Sequence, residues 1–109
     1  MAGRVRAMTD VLTLVSRTLA EDGYTIANEA RRDVFCRLES IGRTEFYQAQ
    51  ATELRPELKF VLPDYLEYCD EYLVIFEGVW YRVIRTYRKG QELELIVQRA
   101  AAEEVASDE

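Results

Sequence analysis

The fold is decided by residues 72–99, YLVIFEGVWYRVIRTYRKGQELELIVQR, which contain three β-rich runs separated by two turns that each contain a glycine. The runs are Tyr72–Phe76, Val79–Tyr87 and Glu92–Arg99, and the turns are Glu77-Gly78 and Lys89-Gly90. Short glycine-containing turns between such runs are typical of β-hairpins. The stretch therefore predicts a three-stranded antiparallel meander.

The register of this meander follows if both turns are two-residue loops. Three cross-strand pairs are then expected, namely Ile75 with Trp80, Ile84 with Leu95, and Arg85 with Glu94. The last is a pair of opposite charges on one face, which favours this register. We expect Trp80 to lie in the core.

Three more strands are predicted upstream, because apolar residues alternate with polar ones there. They are Asp10–Thr18, Arg31–Ile41 and Lys59–Leu62, with a turn at Glu21–Tyr24 after the first of them. In the second strand, Val34, Cys36 and Leu38 point to one side, which predicts a half-buried strand.

The period changes between Gly42 and Pro56. Tyr47, Ala51 and Leu54 follow helical spacing, and Thr44 is a suitable N-cap, so a helix is predicted over Thr44–Leu54. The whole pattern predicts a mainly β protein, a small six-stranded antiparallel β-barrel or sandwich with one short inserted α-helix. Residues 1–109 form a single domain with a core of about residues 10–99, and residues 100–109 are expected to be an acidic, disordered tail.

Composition disfavours several function classes. The net charge is −6 with no histidine, and basic residues are scattered among acids, which disfavours tight nucleic-acid binding. Cys36 and Cys69 are too few for a structural zinc site. No phosphate loop or nucleophile motif is present. We interpret the acid pairs Asp64/Glu67 and Asp70/Glu71 as solvated surface charge. We expect no enzyme activity, no cofactor and no metal.

The start of the chain, MAGRVR, leads into no apolar segment, so we expect no signal peptide and no membrane association. A disulfide is disfavoured by the absence of an export signal, and Cys36 is expected to be a small core residue.

The ordered set of segments resembles the head–tail joining, or head-closure (stopper), proteins of long-tailed phages. The similarity spans about residues 10–99 and is carried by four motifs, RTEFYQA at 43–49, LRPE at 54–57, EGVWYRVIRTY at 77–87 and ELEL at 92–95. Two features depart from the family pattern, the Tyr68-Cys69-Asp70 connection and the acidic tail after Arg99.

The resemblance implies a structural protein of the virion neck, assembled in the bacterial cytoplasm. Its partners would be eleven further copies in a dodecameric ring, a portal-adaptor protein above, a tail-terminator or tail below, and packaged DNA in transient contact. Residues at subunit contacts or along the channel would be Arg43, Glu45, Phe46, Tyr47, Gln48 and Arg55. The alternative for the helix is an ordinary packed scaffold.

Two other functions remain open from the sequence. One is a tail-completion protein, and the other is a small SH3- or OB-like adaptor that binds peptide or single-stranded nucleic acid. For the second, the arginines Arg82, Arg85 and Arg88 alternate with Tyr81 and Tyr87. The cross-strand glutamates Glu92 and Glu94 would neutralise much of this stripe, which favours a structural role.

Overall fold

A computed structural model describes residues 8–41 and 54–102. They form a closed barrel of six antiparallel strands in the order β1-β2-β3-β6-β5-β4, which confirms the predicted mainly β class and strand number. The strands are β1 Asp10–Leu19, β2 Ile26–Glu39, β3 Leu58–Leu62, β4 Leu73–Phe76, β5 Val79–Lys89 and β6 Glu92–Arg99. A 3-10 turn, Tyr65–Glu67, connects β3 to β4. The predicted helix over Thr44–Leu54 falls almost entirely outside the described residues, as does most of the predicted tail.

The first meander turn has the predicted register. Glu77 and Gly78 both have positive φ angles, 52° and 81°, and they bring Phe76 opposite Val79 and Ile75 opposite Trp80. Two successive positive φ angles define the turn type whose twist matches that of a β-hairpin. The pairing of Ile75 with Trp80 is therefore confirmed.

The second turn lies one residue later than predicted, which shifts the pairing between β5 and β6 by two residues. Lys89 pairs with Glu92, so that Gly90, with φ 62°, is the first residue of the loop and Gln91 the second. A β-bulge at Ile84 then shifts the register again. The predicted pairs Ile84–Leu95 and Arg85–Glu94 are therefore wrong: Ile84 has no direct partner and Tyr87 lies opposite Glu94.

The bulge has a consequence for β5, because one extra residue exchanges the two faces of a strand. Tyr81 and Val83 face the interior before the bulge, and Arg85 and Tyr87 face outward after it. The inward-facing side of β5 thus continues with Thr86 and Arg88, opposite the core residues Leu95 and Leu93.

The barrel interior is filled by alternate residues of all six strands. Phe60 is completely buried, and its ring meets Phe76 and Tyr81 edge-to-face at centroid distances of 4.9 and 6.5 Å. The core cluster consists of Leu12, Leu14, Val34, Cys36, Phe60, Leu62, Val74, Phe76, Tyr81, Leu93, Leu95 and Val97. The prediction for Cys36 is confirmed, whereas Leu38 at the end of the same alternation is 38% exposed.

The β1–β2 hairpin is longer than the barrel needs. Strand β4 pairs with β1 only over Thr13–Val15, and β3 pairs with β2 only over Arg37–Glu39. We call residues 16–32 the arm. Over this length β1 and β2 pair with each other, and the hairpin projects beyond the barrel end that holds the 3-10 turn and the β5–β6 turn.

Trp80 is a correction to the predicted core. It lies on the outward-facing side of β5 and is half-buried, because Tyr81 and Val79 occupy the inward positions. The guanidinium groups of Arg17 and Arg31 both lie 5.2 Å from the centre of the indole ring. Trp80 therefore joins the arm to the barrel instead of filling the interior.

This position sets the expected effect of Trp80→Ala. We expect a loss of about 1–2 kcal/mol in the free energy of unfolding, from partial burial and two cation–π contacts. Urea denaturation followed by circular dichroism measures it. A loss above about 3 kcal/mol would contradict the outward placement, because that range is typical of a core aromatic side chain.

Candidate interaction surfaces

Of the six residues predicted for subunit contacts, only Arg55 lies within the described part of the chain. Arg43, Glu45, Phe46, Tyr47 and Gln48 lie outside the described residues. Arg55 is exposed, and its backbone N–H donates to Gln98 Oε1 at 2.9 Å, which fixes the entry to β3 against β6. The proposed roles of these residues stay predictions.

The tip of the arm is held in one conformation by an aspartate. Asp22 Oδ1 accepts from the N–H groups of Tyr24 and Thr25 at 2.8 and 2.9 Å, and Oδ2 accepts from the Thr25 hydroxyl at 2.7 Å. These bonds, that of Thr25 first, lower the pKa of Asp22, so the carboxylate is charged at neutral pH. Tyr24 is 85% exposed at this tip, and tyrosine is one of the residue types that are enriched at protein interfaces.

The base of the arm is fixed by one carboxylate that holds two arginines. Glu29 Oε1 accepts from Arg17 Nε at 2.9 Å, and Oε2 accepts from Arg31 Nε at 2.7 Å. The bond from Arg31 is the main reason why the pKa of Glu29 is lowered, against the opposing effect of desolvation. Because both arginines lie over Trp80, this arrangement fixes the direction in which the arm leaves the barrel.

The barrel end beneath the arm contains a second ion pair. Arg32 donates from Nη2 and Nε to Glu71 Oε2 at 2.7 and 3.2 Å, and the Cys69 N–H donates to Oε1 at 3.0 Å. The Tyr68 hydroxyl donates to the Glu71 carbonyl, and burial, with the nearby charge of Glu71, raises the pKa of Tyr68 to about 12. Glu71 is only 6% exposed, so its interpretation as solvated surface charge is wrong.

An apolar patch lies on the outward face of the barrel. Val11 and Phe35 are directly opposite each other on β1 and β2, and they are 47% and 62% exposed. With Asp33 and Val34 they line a shallow pocket of about 220 Å³. Exposed aromatic and aliphatic side chains that lie together are a common feature of protein interfaces.

The arginine–tyrosine stripe on β5 does not form a continuous surface. Tyr81 belongs to the core, Arg88 stacks on Tyr65 with its guanidinium carbon 3.6 Å from the ring centre, and Arg85 Nη1 donates to the Tyr87 hydroxyl at 2.8 Å. The glutamates opposite the stripe are also engaged. Glu94 lies 3.7 Å from Lys59 and 3.5 Å from Lys89, and Glu92 contacts Arg37 at 3.4 Å.

The acids and thiols of the described residues do not form a metal centre. Over residues 8–41 and 54–102, three or more His, Cys, Asp or Glu side chains do not come together in a group that could hold a metal ion. Asp64 caps the 3-10 turn by accepting from the Leu66 N–H, and it also accepts from Gln91 Nε2. Both cysteines are free thiols, Cys69 exposed and Cys36 buried, and burial raises the pKa of Cys36 to about 12.

Two of these features, the Arg32–Glu71 ion pair and the contacts of Trp80, could not be predicted from the sequence alone. Arg32 stands two residues before Val34, so the alternation of β2 places a charged residue at an inward position. That is a sequence signal for a buried partner, but the partner, Glu71, lies 39 residues away. The contacts of Trp80 with Arg17 and Arg31 likewise depend on the closure of the barrel.

Comparisons with known proteins give no family for this chain. Neither a protein-family model nor a curated protein matches the sequence. Among the helices described, none is long and apolar enough to cross a membrane.

Proposed function

We propose that this chain is a structural protein of a phage neck, which joins head to tail as one subunit of a ring below the portal and its adaptor. Such a ring helps to close the DNA channel and offers a surface for the tail. It acts by assembly and gating, without chemistry. The phage family resemblance suggested this role.

The observation that carries the proposal is the arm on a closed barrel. A small barrel with no open edge is a self-contained scaffold, and a rigid hairpin that leaves it is suited to reach a neighbouring subunit. The ordered tip with Tyr24 and the outward pair Val11–Phe35 are two different surfaces on one chain. Ring neighbours need two such different patches, because their contacts are heterologous.

The charge of the chain agrees with a channel that DNA passes through. The net charge is −6, and the arginines near the arm are paired with Glu29 and Glu71. A strongly basic lumen would retain DNA by releasing its counterions, whereas an acidic one lets it pass.

Charge reversal in segment 43–48 tests the proposal. If this segment lies at subunit contacts, Arg43→Glu or Glu45→Lys should leave the monomer folded but weaken its incorporation into particles, because like charges then face each other. Portal–adaptor stacks or virions assembled with wild-type and variant protein provide the measurement. Particles with the variant should fill with DNA and then leak it, or fail to take tails.

The matched control is Asp70→Lys. Asp70 is exposed at the opposite end of the barrel from Ile41, which precedes the predicted helix, and from Leu54, its last residue. If all three variants assemble and retain DNA like the wild type, the helix is packed scaffold and the interface must be sought on the arm and the meander. A portal gene, a capsid gene and a tail-tube gene nearby would support the neck, and a metabolic operon would favour the adaptor alternative.

A further inference from the structure

Along the arm, the edge of β2 that points away from β1 is not paired with another of the described strands. Within residues 8–41 and 54–102, β2 pairs with β3 only over Arg37–Glu39, so Ile26–Cys36 pair on one side only, with β1. The side chains of Asn28 and of Ala30–Asp33 are exposed. An uncovered strand edge presents unpaired N–H and C=O groups that can bind another strand.

The sequence of this edge limits how it can pair with a second copy of itself. In an antiparallel pair, residues directly opposite each other must both point their backbone groups toward the partner or both away. Two identical strands therefore pair about an axis through a residue, not between two residues. A bulge between Thr18 and Leu19 leaves Ala27 without a direct partner on β1, so regular pairing is available over Asn28–Arg32.

Charge decides among the possible axes. An axis at Glu29 places two glutamates opposite each other, and one at Arg31 opposes two arginines and also Glu29 to Asp33. An axis at Ala30 instead places Glu29 opposite the Arg31 of the second copy, twice, with the small Ala30 side chains in the centre. Opposite charges across strands stabilise a pair and like charges destabilise it.

We propose that two copies of the free chain pair through the β2 edges of their arms, antiparallel and two-fold symmetric about Ala30. Glu29, which already binds Arg17 and Arg31 of its own chain, then also lies opposite the second Arg31. Asn28 lies opposite Arg32 at each end of the regular segment. The contact is small, and it therefore belongs to the weak, transient class of interfaces.

This inference does not rest on the proposed function. A two-fold contact cannot close a ring, because each copy uses the same patch and none is left for a third. The dimer is thus a form of the free chain that covers the arm edge, and its contact is separate from those that would build a ring.

Sedimentation equilibrium over a wide range of concentrations, with the full chain, tests the inference. We expect the wild type to shift from monomer toward dimer as its concentration rises. Ala30→Lys places two lysines against each other on the axis and should raise the dissociation constant at least about tenfold. Ala27→Lys is the matched control, because it is the same change at an exposed residue of the same strand, and it places the lysine near Asp33 of the second copy.

Hydrogen exchange supplies a second measurement on the same proteins. Within Asn28–Arg32, the backbone amides that point away from β1 should exchange more slowly at high than at low concentration in the wild type and in Ala27→Lys, but not in Ala30→Lys. A wild type that stays monomeric at all concentrations overturns the inference. So does an Ala30→Lys variant that dimerises as tightly as the wild type, and so does a wild type that forms a larger ring instead of a dimer. Circular dichroism checks that each variant is folded.

Discussion

Replacement of Phe60 by alanine is expected to lower the free energy of unfolding by about 3–5 kcal/mol, the largest effect of any single truncation in this barrel. Phe60 is completely buried in the middle of β3, a strand of five residues that pairs with β2 on one side and with β6 on the other. Its ring packs edge-to-face on Phe76 of β4 and Tyr81 of β5. The substitution therefore leaves a cavity between three strands, and it removes two aromatic contacts as well.

Urea denaturation of the variant gives the measurement, and Phe35→Ala is the matched control. Phe35 is the same residue type on the neighbouring strand β2, but it is 62% exposed, so its loss should be below about 1 kcal/mol. A domain of this size has a stability of only about 5–15 kcal/mol, and Phe60→Ala can unfold it. Phe60→Leu, with an expected loss of about 1–2 kcal/mol, then keeps the comparison measurable. Equal losses for Phe60→Ala and Phe35→Ala would contradict the placement of the core.

The strands could be predicted because they depend on local pattern, except for the first five residues of β2, Ile26–Ala30, since that strand was expected to begin at Arg31. Alternation and glycine turns are properties of neighbouring residues, and β6 begins and ends at Glu92 and Arg99 as expected. The register of the second hairpin could not be predicted in the same way. The sequence Lys89-Gly90-Gln91 allows Gly90 to be the first or the second residue of the loop, and a shift of two residues leaves the same residues facing the core. Apolar pattern alone cannot separate these registers.

The outward position of Trp80 and the burial of Glu71 were missed for a different reason. Trp80 points outward because the bulge at Ile84 exchanges the faces of β5, and Glu71 is buried where it pairs with Arg32, 39 residues away, so no local rule reports either position. A tryptophan in a strand is most often buried, and an acid beside a tyrosine in a loop is most often solvated. The barrel brings Arg17 and Arg31 to the first, and Arg32 to the second. The candidate interface over residues 43–48 was predicted from resemblance and stays a prediction.

The second large effect is expected for Glu71→Gln, which should lower the free energy of unfolding at neutral pH by about 1–3 kcal/mol. The amide keeps the shape of the side chain but removes the charge that Arg32 binds. The loss is smaller than for a fully buried ion pair, because the Arg32 side chain is 42% exposed and water can reach it. Asp70→Asn, a change of the same kind at the adjacent exposed acid, should change stability by less than about 0.5 kcal/mol.

Acid titration separates the ion pair from a purely steric role of Glu71. Burial by itself raises the pKa of Glu71, but the bonds from Arg32 and from the Cys69 N–H outweigh it and hold the pKa below the ordinary value of 4.5. A carboxyl group whose pKa is lower in the folded state stabilises the fold above its unfolded pKa, and this stabilisation is lost as the pH falls through the folded pKa. The difference in stability between the wild type and Glu71→Gln should therefore be constant from pH 7 to about pH 5 and shrink below pH 4.5.

A double-mutant cycle with Arg32→Met completes the test. If the two side chains act as a pair, the loss in the double variant should be smaller than the sum of the single losses, because no charge is then left without its partner. Additive losses would mean that the Cys69 N–H and local packing, not Arg32, hold Glu71. A difference between wild type and Glu71→Gln that is undiminished at pH 3 would mean that packing, and not the charge of Glu71, stabilises the fold. The barrel end under the arm would then be stabilised only by contacts within the connection between β3 and β4, such as those of Tyr68 and Cys69 with Glu71. The arm would depend on Trp80 and Glu29 for its position.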